Sequence, residues 1–258
     1  MITPVVDELQ EATGLDPQCV LVVGAACRDV LHAAMGHTFE VRATNDVDLG
    51  IAVRDWTVSD RIEKQYERIG DNGIRYRIAG LPVDVMPFGE VEDPDGISSP
   101  AARGEDLVVF GFQDVFERAV ALELPGGAVV RLPQPAGYAA LKMRAWIDRN
   151  MDKDAKDLAL CTFWYQESGA VEDRLFGTEA GLQILAAVGW DVPVAAARLL
   201  GVDVAEQLET ANHSDLMERW SALDMNILAR DFVLPAGAGR IFRREAAHSY
   251  AGELGHAP

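Results

Sequence analysis

The chain has 258 residues, enough for one large domain or two modest ones. Its 23 Lys and Arg against 41 Asp and Glu give a formal net charge of −18, a surface that repels polyanions unless positive charge gathers locally. Coating of nucleic acid in the manner of histones is thereby excluded. The longest apolar run, residues 19–27, is shorter than the roughly 18 residues of a membrane span. No positively charged signal-peptide region begins the chain, so we expect a cytoplasmic protein with no membrane partner.

The first half of the chain alternates strand and helix patterns. In chain order, the predicted elements are a helix over residues 5–14 ending at Gly14, a buried strand over 19–23, a helix over 24–36, a strand over 46–53, a helix-favouring segment over 56–70, a hairpin of strands 74–78 and 81–88, and strands at 107–110 and 128–132. Residues 89–106 lack periodicity and are rich in Gly, Pro, Ser and acids, so we expect a mobile loop there.

From Gln134 onward the pattern is helical only. Pro135 is predicted to begin one helix, and a second is predicted from Asp152, as N-cap, to Tyr165. Further helices are expected near residues 178–188, 193–211 and 214–229, and the last fifteen residues are expected to be loosely held. An α/β half followed by an all-α half predicts an α+β protein with two domains, residues 1–133 and 134–258.

Two carboxylates share one face of the strand over 46–53. Because side chains alternate along a strand, Asp46 and Asp48 point one way while Val47 and Leu49 point into the apolar layer. Their charges repel unless a cation lies between them, and hard oxygen ligands suit Mg²⁺ or Mn²⁺. Gly50 follows on the same face and is expected to leave room for a ligand. The alternative is an exposed edge strand with two solvated aspartates.

Residues on either side of this strand extend the metal hypothesis. Gly24 ends a buried strand and begins a helix, whose free N–H groups and dipole form an anion site, and the small Ala25 lets a phosphate approach. Asp84 would face the same side as Asp46 and Asp48 if the two strands are neighbours. Three carboxylates of this kind can hold two metal ions that orient an attacking hydroxyl and stabilise a leaving pyrophosphate.

These motifs resemble those of a known superfamily. Gly24-Ala25, the run Arg42-x-Thr44-x-Asp46-x-Asp48 and the later Asp84 are similar to the nucleotidyltransferase fold of the DNA polymerase β superfamily. The form is closest to the AbiEii/MenT branch, the toxins of toxin–antitoxin systems. The resemblance covers about residues 19–160, and Ala25 departs from the Ser or Gly of many members. It implies a nucleotidyltransferase-fold α/β N-terminal lobe with a mixed sheet, followed by an all-α C-terminal lobe.

Site residues follow from the resemblance. Lys142 and Asp157 match a lysine and an aspartate of that branch. The implied roles are catalytic for Asp46, Asp48, Lys142 and Asp157, metal-binding for Asp46, Asp48 and Asp84, and nucleotide-binding for Gly24, Ala25, Arg42, Thr44 and Lys142.

Each of the outlying residues also has a simpler interpretation. Lys142, Trp146 and Arg149 share a helical stripe that could hold a triphosphate and stack a base; alternatively, Lys142 lies on the surface and Trp146 is buried in the interface between the lobes. Asp157 could instead form an ion pair with Lys142 or Arg144. Arg42 could contact phosphate or pair with an aspartate.

The expected function is Mg²⁺- or Mn²⁺-dependent transfer of a nucleoside monophosphate from an NTP to an acceptor. By resemblance the acceptor is an RNA 3′ end, such as that of tRNA, and the protein a toxin with a cognate antitoxin partner. Residues 131–157, with six bases against four acids, could hold phosphates or could form a solvated helix face. One alternative is a nucleotidyltransferase of the aminoglycoside type, since an acidic surface suits a cationic small molecule. Another is a catalytically silent nucleotide- or partner-binding module, for which three carboxylates are not needed.

Overall fold

The structure is a computed structural model that describes residues 1–256, and its class is α+β, as predicted. The chain divides into two compact units: Met1–Val30 with Ala43–Gln134, and Leu31–Arg42 with the chain from Pro135 onward. Within the described residues, no helix is both long enough and apolar enough to cross a bilayer.

The first unit carries the strands. They are β1 (Val20–Val23), β2 (Val47–Val53), β3 (Arg75–Ile78), β4 (Leu81–Gly89), β5 (Ile97–Ser98), β6 (Leu107–Val108), β7 (Val120–Glu123) and β8 (Val129–Leu132). The helices that begin in this unit are α1 (Ile2–Thr13), α2 (Gly24–Ala34), α3 (Thr57–Gln65) and α4 (Phe112–Arg118). α4 and β7 were not predicted, because both are short and their apolar residues show little periodicity.

Six strands form one mixed sheet in the order β3-β4-β2-β1-β8-β7, and β5 pairs with β6 separately. β2 runs parallel to β4 and antiparallel to β1, while β3 and β4 form the predicted antiparallel hairpin. β8 is parallel to β1 and antiparallel to β7. The parallel pairing of β2 with β4 is the one that brings distant carboxylates together.

The two faces of β2 differ, as the alternation of its residues predicts. Val47, Leu49 and Ile51 are completely buried. On the opposite face, a Cβ atom added to Gly50 would lie 3.1 Å from the rings of both Phe88 and Phe112. The expectation that Gly50 leaves room for a ligand is therefore wrong, because two aromatic rings occupy that space. The polar part of this face is confined to the end that carries Asp48.

Residues 89–106 consist mostly of turns and bends, as their composition suggested, but they also contain a short paired strand and several specific contacts. Ile97–Ser98 pairs with Leu107–Val108, and the Glu92 carboxylate accepts hydrogen bonds from the backbone N–H groups of Gly89 and Gly96. Arg103 donates to the backbone carbonyl of Asn72 at 2.7 Å. A Cβ atom at Gly73 would lie 2.2 Å from the Cα atom of Arg103. These contacts fasten the segment to the turn that precedes β3.

The second unit is helical apart from its connections. Its helices from Pro135 onward are α5 (Pro135–Arg149), α6 (Asp152–Glu167), α7 (Gly169–Gly177), α8 (Glu179–Ala187), α9 (Val192–Glu206), α10 (Thr210–Ser221), α11 (Met225–Asp231) and α12 (Arg244–Glu253). Asp152 is the first residue of α6, whose N-cap is Met151, so the predicted cap is wrong by one residue. The Asp152 side chain instead accepts a hydrogen bond from Lys156, one turn along.

The C-terminal segment is held firmly, contrary to expectation. Ala251 and Leu254 are completely buried, and a Cβ atom at Gly201 of α9 would lie 2.8 Å from the backbone carbonyl oxygen of Leu254. Close approach to α9 therefore stabilises α12. Residues 257–258, the end of the segment expected to be loose, lie outside the described residues.

Candidate functional site

The three predicted metal ligands lie together in the first unit. Asp46 directly precedes β2, Asp48 lies on β2, and the parallel register sets Asp48 beside Asp84 of β4. One carboxylate oxygen from each residue lies within 4.8 Å of the others. Opposite ligands of an octahedral Mg²⁺ ion are about 4.2 Å apart. The carboxylate cluster formed by these three residues could therefore hold a metal ion with small side-chain adjustments.

Arg75 of β3 is part of this cluster. Its Nε and Nη2 atoms donate to the two oxygens of Asp84, each at 2.7 Å, and Nη2 also donates to Asp46 at 2.9 Å. The hydrogen bond to Asp84 is the main cause of a raised pKa for Arg75, and the charges of Asp84, Asp46 and Asp48 add to it against the effect of partial burial. The guanidinium thus offsets one of the three negative charges.

Arg75 was not predicted to be a neighbour of the carboxylates, although the register of the predicted hairpin indicates this position. The hairpin turn at Ala79-Gly80 pairs Ile78 with Leu81, and counting outward from that pair sets Arg75 opposite Asp84. A basic residue facing an acidic one across a tight hairpin is a common stabilising pair.

Two polar side chains orient the cluster from either side. Asn72 donates to Asp84 Oδ1 at 3.2 Å, and the hydroxyl of Thr44 donates to Asp46 Oδ1. Thr44 was expected to contact the nucleotide. The structure places its hydroxyl against Asp46, a predicted metal ligand, where it fixes the orientation of the carboxylate; contact of Thr44 with a nucleotide stays a prediction.

Gly24 packs directly against Asp48. It is the first residue of α2, it follows β1, and Val23 lies opposite Asp48 in the antiparallel register. Its φ angle is +59°, and an added Cβ atom would lie 1.9 Å from Asp48 Oδ2. The partial positive charge of a helix N-terminus stabilises a nearby carboxylate. Gly24 therefore lets this end of α2 approach the cluster, and the neighbouring Ala25 is buried.

Lys142 and Asp157 lie together in the second unit. Lys142 Nζ is 2.7 Å from Asp157 and 3.2 Å from Asp154, and all three side chains are buried. The Tyr138 hydroxyl donates to Asp157 at 3.0 Å. Burial lowers the pKa of Lys142, but the charges of Asp157 and Asp154 outweigh it, so the pKa of Lys142 is raised. The ion pair between Asp157 and Lys142, which was the alternative to a catalytic role for Asp157, is therefore present.

The helical stripe that was expected to stack a base is largely internal. Trp146 is 2 % exposed and packs edge-on against Trp220, with ring centroids 6.5 Å apart. The prediction that its indole is available to a nucleotide is therefore wrong. Arg149, whose side chain is 47 % exposed, donates to both oxygens of the buried Asp154 at 2.7 Å, so it shares this carboxylate with Lys142.

Arg42 lies in the short first stretch of the second unit and is exposed. The pKa of Asp152 is lowered, mainly by the hydrogen bond from Lys156, and the positive charge of Arg42 contributes to that shift.

Comparison with models of known protein families finds none that matches this chain, and comparison with curated protein sequences finds no match either.

Replacement of Gly24 by Ala should lower the free energy of unfolding by about 3 kcal/mol or more, since it combines a strained backbone with a clash against Asp48. Gly36→Ala is the matched control: its φ is +82°, but no atom lies within 4 Å of the added carbon, so only the backbone cost of about 1 kcal/mol applies. Urea unfolding measures both. Equal losses in the two variants would contradict the importance of the contact with Asp48.

Replacement of Lys142 by Ala should lower the free energy of unfolding by about 3–5 kcal/mol, because it removes the ammonium group that lies 2.7 Å from the buried Asp157 carboxylate; Asp154 keeps its ion pair with Arg149. Lys153→Ala, a less buried position on α6, should change it little. Because the pKa of Lys142 is raised in the folded state, the stabilisation it provides is full below its ordinary value of 10.5 and is lost as the pH rises beyond that value. Urea unfolding at pH 7 and at pH 11 measures both effects; a Lys142 variant as stable as the Lys153 variant would contradict them.

Proposed function

We propose that the protein is a metal-dependent nucleotidyltransferase, which moves a nucleoside monophosphate from an NTP to the hydroxyl group of an acceptor. The observation that carries the proposal is the convergence of three carboxylates from β2 and β4 on the N-terminus of α2. Carboxylates held this close repel one another, an arrangement that suits a hard divalent cation such as Mg²⁺ or Mn²⁺.

Each predicted site residue of the first unit has a role in this proposal. Asp46, Asp48 and Asp84 would hold the metal, which when bound supplies charge stabilisation to the phosphoryl group in transfer. Gly24 keeps the first turn of α2 close to the cluster, where backbone N–H groups favour phosphate oxygens. Thr44 orients Asp46 through its hydroxyl. Ala25 follows Gly24 in that turn and is buried; its role in nucleotide binding is proposed on the resemblance alone.

The resemblance also assigns catalytic roles to Lys142 and Asp157. On the resemblance, Lys142 would stabilise the departing pyrophosphate. Its ammonium group is buried and paired with Asp157 and Asp154. Asp157 holds the ammonium group at 2.7 Å and so fixes its position. Arg42 is proposed, on the resemblance alone, to bind the nucleotide.

For the acceptor we propose an RNA 3′ end, such as that of tRNA, and for the biological role a toxin restrained by a cognate antitoxin. The chain as a whole is acidic, and four of the six bases in residues 131–157 form ion pairs with aspartates: Lys142, Arg144, Arg149 and Lys156. RNA contact must therefore involve few phosphates, as with a single-stranded end, and its salt dependence should be modest.

The net charge of −18 favours one second candidate, a cationic small-molecule acceptor of the aminoglycoside type. Such an acceptor would use the same carboxylate cluster for the transfer step. The two candidates differ only in what receives the nucleotide.

Asp48→Asn should abolish nucleotide transfer, with a loss of about a thousandfold or more, because asparagine keeps the shape of the aspartate side chain but lacks the negative charge that binds the metal. The melting temperature should stay unchanged or rise, since the substitution relieves repulsion with Asp84. Incorporation from α-labelled NTPs measures the activity, and Asp71→Asn, an exposed acid of the same unit, is the control. Full activity in the Asp48 variant would remove this residue from the site.

Incubation with each labelled NTP, Mg²⁺ and total RNA should label tRNA-sized species at the 3′ end, and the label should be absent with Asp48→Asn. A parallel incubation with an aminoglycoside, followed by mass spectrometry, tests the other acceptor. Unlabelled RNA with all four NTPs, together with an aminoglycoside heavier by one nucleotide, would replace the toxin hypothesis with the small-molecule one. Absence of both products would favour a silent binding module.

A further inference from the structure

Arg75 occupies the oxygens that a metal ion would need. Asp84 Oδ1 accepts hydrogen bonds from both Arg75 and Asn72, and Asp84 Oδ2 accepts one from Arg75. Asp46 Oδ2 also accepts from Arg75, and Asp46 Oδ1 accepts from Thr44. A carboxylate oxygen offers about two acceptor positions. Because Arg75 Nη2 donates to both Asp46 Oδ2 and Asp84 Oδ2, it lies between these two oxygens, and a cation that bridges the same oxygens competes directly with the guanidinium group.

The backbone of Arg75 is fixed, whereas its side chain is partly exposed. The Arg75 N–H group donates to the side-chain oxygen of Asn72 at 3.1 Å, and strand pairing sets Arg75 opposite Asp84. The side chain itself is 33 % exposed. A guanidinium group on a long side chain can leave the carboxylates for water without any movement of β3.

We propose that Arg75 is a built-in counterion that sets the divalent-metal affinity of the carboxylate cluster. It holds Asp46 and Asp84 in place by offsetting part of their repulsion, and it must release Asp46 and one oxygen of Asp84 for a metal ion to reach all three carboxylates. Metal ion and guanidinium are thus alternative occupants of the same oxygens. This inference rests on the proposed function, because it takes the cluster to be a metal site.

Competition of this kind predicts the direction in which the metal affinity changes when the guanidinium group is removed. Removal of the guanidinium frees the ligand oxygens and leaves a more negative cluster, so divalent ions should bind more tightly. The same removal leaves three carboxylates with less compensation, so the protein without divalent ions should be less stable. A residue that merely supported the ligands would give the opposite effect on affinity.

Mn²⁺ alone is the probe, titrated into the full chain and followed by the EPR signal of the free ion. Arg75→Gln should lower the dissociation constant for Mn²⁺ about tenfold relative to the unsubstituted protein. Arg77→Gln is the matched control: Arg77 lies on the same strand, is 52 % exposed and is 3.6 Å from Glu67, and its removal changes the net charge equally. Its dissociation constant should remain unchanged.

Thermal unfolding provides the second measurement. Without divalent ions, Arg75→Gln should melt at a lower temperature than Arg77→Gln, and saturating Mn²⁺ should raise its melting temperature by more. Arg75→Lys guards against a variant that does not fold, since it keeps the charge but loses the two-pronged contact. Its Mn²⁺ affinity should lie between those of the unsubstituted protein and Arg75→Gln.

The outcomes separate the two proposals. Mn²⁺ affinity that is unchanged or weaker in the Arg75 variants, while the unsubstituted protein binds the ion, overturns the counterion role and leaves the proposed function standing. No Mn²⁺ binding by the unsubstituted protein or by either Arg75 variant overturns the metal site, and with it the proposed function.

Discussion

Repulsion between the carboxylates of Asp46, Asp48 and Asp84 is the constraint around which the first unit is arranged. Parallel pairing of β2 with β4 sets Asp48 and Asp84 side by side, where two like charges destabilise the fold unless they are offset. Four groups contribute positive potential or hydrogen bonds: the N-terminus of α2, Arg75 on β3, and the side chains of Asn72 and Thr44. The cluster is thus a product of the whole sheet and not of one strand.

The second unit contains a group of paired charges in which cations and carboxylates are equal in number. Lys142 and Arg149 face Asp154 and Asp157, so two cations meet two carboxylates. Tyr138 adds a neutral hydrogen bond to Asp157. Breaking a buried network of this type is costly, because it leaves a charge without its partner. Any catalytic use of Lys142 must therefore act through a residue that is also structural.

Much of the first unit could be predicted from local sequence, because strand alternation assigns faces. The two-residue period of a strand alone assigned Val47 and Leu49 to the core, and Asp46 and Asp48 to the opposite face. The position of Asp84 beside them depended on which strands are neighbours, a long-range property that no local pattern contains. Arg75 could have been identified by counting outward from the hairpin turn, which needs only a short-range register.

Helical residues were harder to assign from sequence. The spacing of Lys142, Trp146 and Arg149 shows that they share a stripe, but it does not say whether that stripe faces water or a neighbouring helix. Trp146 is buried because Trp220, more than seventy residues later, packs against it. The helix α12 was missed for a similar reason: its stability depends on close approach to Gly201 and not on a strong apolar pattern of its own.

The contact between Gly73 and Arg103 has a consequence for how this chain can diverge. A side chain at position 73 would meet the backbone of Arg103 at 2.2 Å, and Arg103 in turn holds the carbonyl of Asn72, whose side chain holds Asp84. A side chain at position 73, or loss of the Arg103 guanidinium group, therefore disturbs the residue that orients a carboxylate of the cluster. In homologues of this protein, glycine should therefore be retained at position 73 whichever residue stands at position 103, because the atom that a side chain at 73 would meet is the Cα atom of residue 103.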